Sequence, residues 1–220
     1  MPIVETPVSV TLKQGVVTGL QSQIVTRFLG LRYAQAPTGA LRFAAPQPLG
    51  PQPMFDATQA GPVCPQRPSR LRNVMGDFEA VQDEDCLRLS IWTPACDQGK
   101  RPVVVWLHGG AWQSGGGALP WYDGARLAVR GDCIVVGVNY RLAALGWLFV
   151  PGQTANVGLL DEEAAVSWVV ENIEHFGGDP ARVTLMGQSA GGFNIAAMLA
   201  RQPLFTRALL QSASLGRGFR

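Results

Sequence analysis

Hydrophobic positions along the 220 residues fall into two regimes separated by a proline-rich stretch. Ahead of it, "SVTLKQGVVTGL" and "IVTRFLGLRYA" are short, β-branched runs broken by glycine, the pattern of antiparallel strands joined by turns. In "APQPLGPQPMFDATQAGPVCPQRPSR", and on to about Asn73, the prolines exclude regular central strands and predict irregular surface chain. Beyond it, the runs "RLSIWTP", "PVVVWLHGG", "CIVVGVNYR", "RVTLMGQ" and "RALLQSAS" are short and nearly continuously apolar, as expected of strands buried on both faces of a parallel sheet.

The clearest helix is "DEEAAVSWVVENIEHFGG". Leu160, Ala164, Ala165, Trp168, Val169, Ile173 and Phe176 share one stripe, and Glu163, Ser167, Glu171 and Glu174 lie opposite. Asp161 is placed to cap the start, and Gly177 to end the helix. Strands alternating with such helices predict an α/β fold, an open and mainly parallel sheet with right-handed crossovers.

Composition narrows the function classes. With 47% hydrophobic and 15% charged residues the chain has the make-up of a globular protein of one or at most two domains. A net charge of +2, with Lys13 and Lys100 the only lysines and the arginines scattered, argues against nucleic-acid binding. "MPIVETPVSVTLKQG" has no basic segment followed by a long apolar run, and no stretch approaches a membrane span, so no membrane contact and a cytoplasmic location are expected. Cys64, Cys86, Cys96 and Cys133 lack paired zinc spacing, and His108 and His175 are the only histidines, so no metal is expected. Cys133 is read as a small buried hydrophobe and Cys96 as a turn residue.

Candidate chemistry centres on "VTLMGQSAGGFNIAAMLA", which holds a Gly-x-Ser-x-Gly frame. In a glycine-rich chain that pentapeptide is weak by itself, but here a strand runs into Gly187 and a helix starts at the serine, the strand-turn-helix of a nucleophile elbow. Gly187 and Gly191 permit the tight turn, and Ser189 would stand beside the first N–H groups of the helix, where developing negative charge is stabilised. The loop "WLHGGAWQSGGG" follows a strand and can supply further N–H donors. A phosphate-binding loop is the alternative, and the motifs fail it: no Gly-Lys-Ser/Thr occurs, and Ser189 stands where a dinucleotide fingerprint needs glycine.

Several blocks in order, "FLGLRYAQAPTGALRFAAPQP", "EDCLRLSIWTP", "PVVVWLHGGAW", "NYRLAALGWL" and "NVGLLDEEAAVSWVVENIEHFGGDPARVTLMGQSAGG", resemble the type-B carboxylesterase and lipase family of α/β-hydrolases, related to the cholinesterases. The resemblance implies that residues 1–220 are the N-terminal part of one such domain, with an N-terminal antiparallel region and without its C-terminal half. It implies a cofactor-free carboxylic ester hydrolase in which Ser189 is the nucleophile and Gly110, Ala111 and Ala190 give the oxyanion N–H groups. It further implies ion pairs Arg42–Glu84 and Arg141–Asp161, and matches Cys64 and Cys86 to a disulfide of many secreted relatives, a pairing left open in a chain without a leader. One departure is Gln188, where the family usually has glutamate.

The base is the missing part. Family order is serine, then acid, then histidine, and residues 190 to 220 contain no Asp, Glu or His. His175 should sit at the start of the nucleophile strand, a strand's length from Ser189, as a partly exposed helix-terminal residue. His108 is near the site, and fixing the shape of its loop is the expected role, with that of a makeshift base as the alternative. The acid and histidine are then expected from a second polypeptide or from sequence missing here, with self-association through an exposed sheet edge as another outcome. A non-catalytic interaction module on the same fold is the competing reading.

Overall fold

The apolar runs fold into one mixed sheet in a computed structural model that describes residues 4–52, 54–70, 72–201 and 203–216. Three antiparallel strands come first: β1 (Thr6–Leu12), β2 (Gly15–Gln21) and β3 (Thr26–Arg32). Within the proline-rich stretch β4 (Met54–Asp56) adds only a short edge pairing beside β2, and α1 (Arg72–Met75) is a single turn. Then follow β5 (Arg88–Thr93), β6 (Arg101–Leu107), α2 (Ala125–Gly131), β7 (Ile134–Val138), α3 (Ala143–Trp147), α4 (Val157–Asn172), β8 (Gly178–Gln188), α5 (Ala190–Leu199) and β9 (Arg207–Gln211). The strand order is β1-β2-β3-β5-β7-β6-β8-β9.

The pairs β7–β6, β6–β8 and β8–β9 are parallel, as their continuous apolar character predicts. The run "RLSIWTP" departs from that expectation, because β5 lies antiparallel to both β3 and β7. Five of its six residues are buried, and burial on both faces makes a run continuously apolar whichever way the strand points.

The long helix starts a turn earlier than its sequence suggests. Asn156, in a left-handed conformation and with no side-chain capping bond, precedes α4, so Asp161 is an interior residue and not the cap. Ala165, Trp168, Val169, Ile173 and Phe176 of the expected stripe are buried, whereas Leu160 and Ala164 are half-buried. Gly177, at φ 85°, ends the helical stretch as expected. Two carboxylates, Asp161 and Glu162, face the core, which a hydrophobic periodicity cannot register.

Asp161 is there because Arg141 meets it. The guanidinium donates from Nε and Nη2 to the two carboxylate oxygens at 2.7 Å each, and both side chains are almost fully buried. Burial pushes the Asp161 carboxyl up to about 6 while Arg141 pulls it down, so the pair is ionised at neutral pH. Arg141 Nη1 also donates to the carbonyl of Arg42 at 3.0 Å, and Arg42 pairs with Glu84 at 2.6 Å, which ties the irregular N-terminal chain to the sheet. Cys64 and Cys86 lie buried as free thiols in mutual contact, with the Leu142 N–H donating to Cys64 Sγ at 3.2 Å. Among the described residues no helix is long and apolar enough to cross a membrane.

Strand β9 pairs with β8 and has no partner on its other side among the described residues. Leu209 on it is 48% exposed, and Leu199 and Leu204 are exposed too. An open edge with apolar flanks templates further pairing. The chain is therefore expected to self-associate in light scattering at high concentration, and Leu209→Lys to raise the monomer fraction; a wild-type monomer under those conditions contradicts this.

Candidate active site

Ser189 sits between the end of β8 and the start of α5, with φ 53° and ψ −114°. That backbone region is sterically costly for a residue with a Cβ. It is held by the Ser189 N–H donating to the Gln211 carbonyl at 2.8 Å and the Phe193 N–H donating to the Ser189 carbonyl at 2.9 Å. The first turn of α5 presses on the sheet so closely that a Cβ on Gly191 would come within 2.1 Å of the Leu107 carbonyl oxygen, and one on Gly187 within 2.6 Å of the Gly191 carbonyl carbon. No residue other than glycine fits at either position without moving backbone.

The same approach brings the loop after β6 to Ser189. A Cβ on Gly109 would stand 3.2 Å from Ser189 Cβ and 2.3 Å from Gln188 Oε1. Gly110, Ala111 and Trp112 all have positive φ, at 124°, 54° and 59°. The Gly110 carbonyl accepts from the N–H groups of Gln113 and Ser114 at 3.0 and 3.2 Å, so across the trans peptide the Ala111 N–H faces the other way. Among the described residues none of the N–H groups of Gly110, Ala111 and Ala190 has a backbone acceptor. Ala190 opens α5, where unpaired N–H groups carry the positive end of the helix dipole.

The two histidines separate as expected from sequence. His175 is exposed, on the 3₁₀ turn ahead of β8, at the opposite end of that strand from Ser189. His108 is fully buried, stacked on Tyr140 with ring centroids 4.4 Å apart, and its Nδ1 lies 2.8 Å from the Gly109 carbonyl. Burial pushes its pKa down to about 4, so the ring is neutral at physiological pH and Nδ1 carries the donated proton. It makes no hydrogen bond to Ser189.

Sequence reasoning missed Asn139 and Tyr140, the polar pair that organises this edge. Asn139 Oδ1 accepts from the Gly117 N–H at 2.7 Å and its amide donates to the Pro62 carbonyl, while Tyr140 O–H donates to the His108 carbonyl at 2.7 Å. Both hold the glycine-rich loop from behind. The readable signal was "NYR", three polar residues immediately after the apolar β7 run. Beside the loop opens a cleft of about 1150 Å³ lined by Ala111, Trp112, Trp147, Leu148, Phe193 and Asn194.

Comparison with known proteins finds the carboxylesterase family model matching residues 6–218. This chain belongs to the carboxylesterase family. It is 48% identical over 219 residues to a probable N-octanoylanthranilate hydrolase of Rhodococcus erythropolis, covering 96% of this chain and 47% of that protein. It is 43% identical to a para-nitrobenzyl esterase of Bacillus subtilis, covering 93% of this chain and 43% of that enzyme, and 42% identical to the mouse cholinesterase, covering 37% of the latter. Among solved structures, a thermophylic PNB esterase superposes with a TM-score of 0.88 at 42% identity, over 94% of this chain and 44% of that one. The mixed sheet is thus that of the α/β-hydrolase carboxylesterases, and the chain spans less than half the length of these relatives.

Burial of His108 in this carboxylesterase-family chain has a measurable sign. Its folded pKa of about 4 lies below the ordinary 6.5, so its stabilising contribution is fully present above pH 6.5 and is lost as the pH falls toward 4. Between pH 7 and pH 5 that loss is about 2 kcal/mol. Denaturant melts of the wild type should show this extra loss relative to His108→Phe; parallel pH profiles of the two proteins would contradict a buried neutral ring.

Proposed function

We propose that Ser189 is the nucleophile of a serine carboxylic ester hydrolase, with the N–H groups of Gly110, Ala111 and Ala190 as its oxyanion donors. The observation that carries the reading is the strained serine at the head of α5, set against a loop in which, among the described residues, the Gly110 and Ala111 N–H groups have no backbone acceptor. In this reaction Ser189 Oγ bonds to the ester carbonyl carbon while its proton passes to a base, and the carbonyl oxygen takes up negative charge facing those donors. Collapse expels the alcohol, which receives the proton, and water then hydrolyses the acyl-enzyme. No cofactor takes part.

We assign the base and its acid to residues outside 1–220, in the segment that follows the nucleophile in the longer relatives, on the same polypeptide or on another. His108 does not fit the task, because its ring is buried, stacked and hydrogen-bonded to its own loop, and His175 stands at the wrong edge. A second reading is a non-catalytic interaction module on this fold. The intact serine and donor loop weigh toward the hydrolase, since a binding module has no need of them.

A fluorophosphonate probe should label the chain and fail to label Ser189→Ala. Without histidine and acid, p-nitrophenyl ester turnover should stay at roughly 10³ to 10⁴ times the reaction in water, the level left when a triad member is lost. It should rise when a fragment carrying the downstream acid and histidine is added. Absence of labelling in both the chain alone and the mixture would favour the binding module; full esterase turnover that vanishes in His108→Ala would make His108 the base.

A further inference from the structure

Beside Asp161 on α4, the carboxyl of Glu162 is buried with no cation paired to it among the described residues, Arg141 being engaged by Asp161. Its Oε1 accepts from Asn194 Nδ2 at 3.0 Å, and its Oε2 is buried without a hydrogen-bond partner among the described residues. Asn194, on α5 five residues after Ser189, accepts at Oδ1 from the Trp112 indole N–H at 2.9 Å. Trp112 follows Ala111 directly and shares its left-handed backbone.

The orientation of this chain of bonds follows from donor chemistry. An indole nitrogen only donates, so the Asn194 oxygen must face Trp112, its NH₂ must face α4, and Glu162 must present an acceptor. A carboxylate there would be a buried charge without compensation, whereas a neutral acid presents its carbonyl oxygen to Asn194. Burial pushes the Glu162 carboxyl well above the usual carboxylate range, in keeping with the neutral form. Ring contacts of Trp112 with Phe193 and Trp147, at 5.6 and 5.7 Å, confine the indole as well.

We infer that Glu162 is a positioning residue: through Asn194 it holds the Trp112 indole, and with it the conformation of the strained Gly110–Trp112 loop and one wall of the adjoining cleft. Trp112 and Asn194 both line that cleft. The inference deepens the hydrolase reading, because the loop it sets carries the Ala111 N–H proposed for the oxyanion. The bond chain itself does not depend on Ser189 being a nucleophile.

The experiment follows the indole N–H signals of the ¹⁵N-labelled full chain, with the Trp112 signal assigned by its loss in Trp112→Phe. It should move upfield in Glu162→Leu and in Asn194→Ala, and stay in place in Glu162→Gln, which keeps the acceptor and the volume. The rate of fluorophosphonate labelling should fall about tenfold in Glu162→Leu and be restored in Glu162→Gln, as partial displacement of one oxyanion donor predicts. A Trp112 signal that stays in a folded Glu162→Leu overturns the inference. So does one lost in Glu162→Gln, a variant that tests it even where Glu162→Leu does not fold. A wild-type chain inert to the probe whose Trp112 signal still responds as expected sinks the reading of Ser189 and supports the positioning role.

Discussion

Everything at the sheet's C-terminal edge depends on one close approach, the backbone of α5's first turn against the end of β6. With a Cβ at Gly191 only 2.1 Å from the Leu107 carbonyl oxygen, the contact exists because the residue is glycine. It pins the start of α5, which forces Ser189 into its strained conformation and lays Gly109 against its side chain. Strain at that serine and the left-handed run from Gly110 to Trp112 are two sides of the same junction. Each is a conformation that costs free energy locally and persists because packing around it leaves no alternative.

Behind the junction stands a second layer made of polar side chains. Asn139 and Tyr140 bind the backbone of the glycine-rich loop, and Arg141 joins α4 to the carbonyl of Arg42. These groups are buried, so each hydrogen bond also prevents an unsatisfied donor or acceptor in a low-dielectric interior. Breaking the Arg141–Asp161 pair from one side would leave an uncompensated charge, a cost of about 3 to 5 kcal/mol. The loop's shape is consequently tied to the stability of the fold. His108 belongs to this layer: stacked on Tyr140 and neutral, it braces the loop rather than titrating within it.

By themselves the residues determined the strand-turn-helix around Ser189 and the approximate places of the parallel strands, and the family resemblance they carry implied the ion pairs Arg42–Glu84 and Arg141–Asp161. The strand-turn-helix was legible because glycine at 187 and 191, serine at 189 and continuous apolar runs each permit few local structures. Tertiary structure alone decided that β5 runs antiparallel, since an apolar run records burial and not direction. It decided that Asp161 lies inside α4 and not at its cap, because the carboxylate's partner is 20 residues away in sequence. It also decided the chain Glu162–Asn194–Trp112, whose members come from α4, α5 and the β6 loop. Buried polar contacts of that kind are selected by the meeting of distant segments, and no periodicity or spacing along the chain records them.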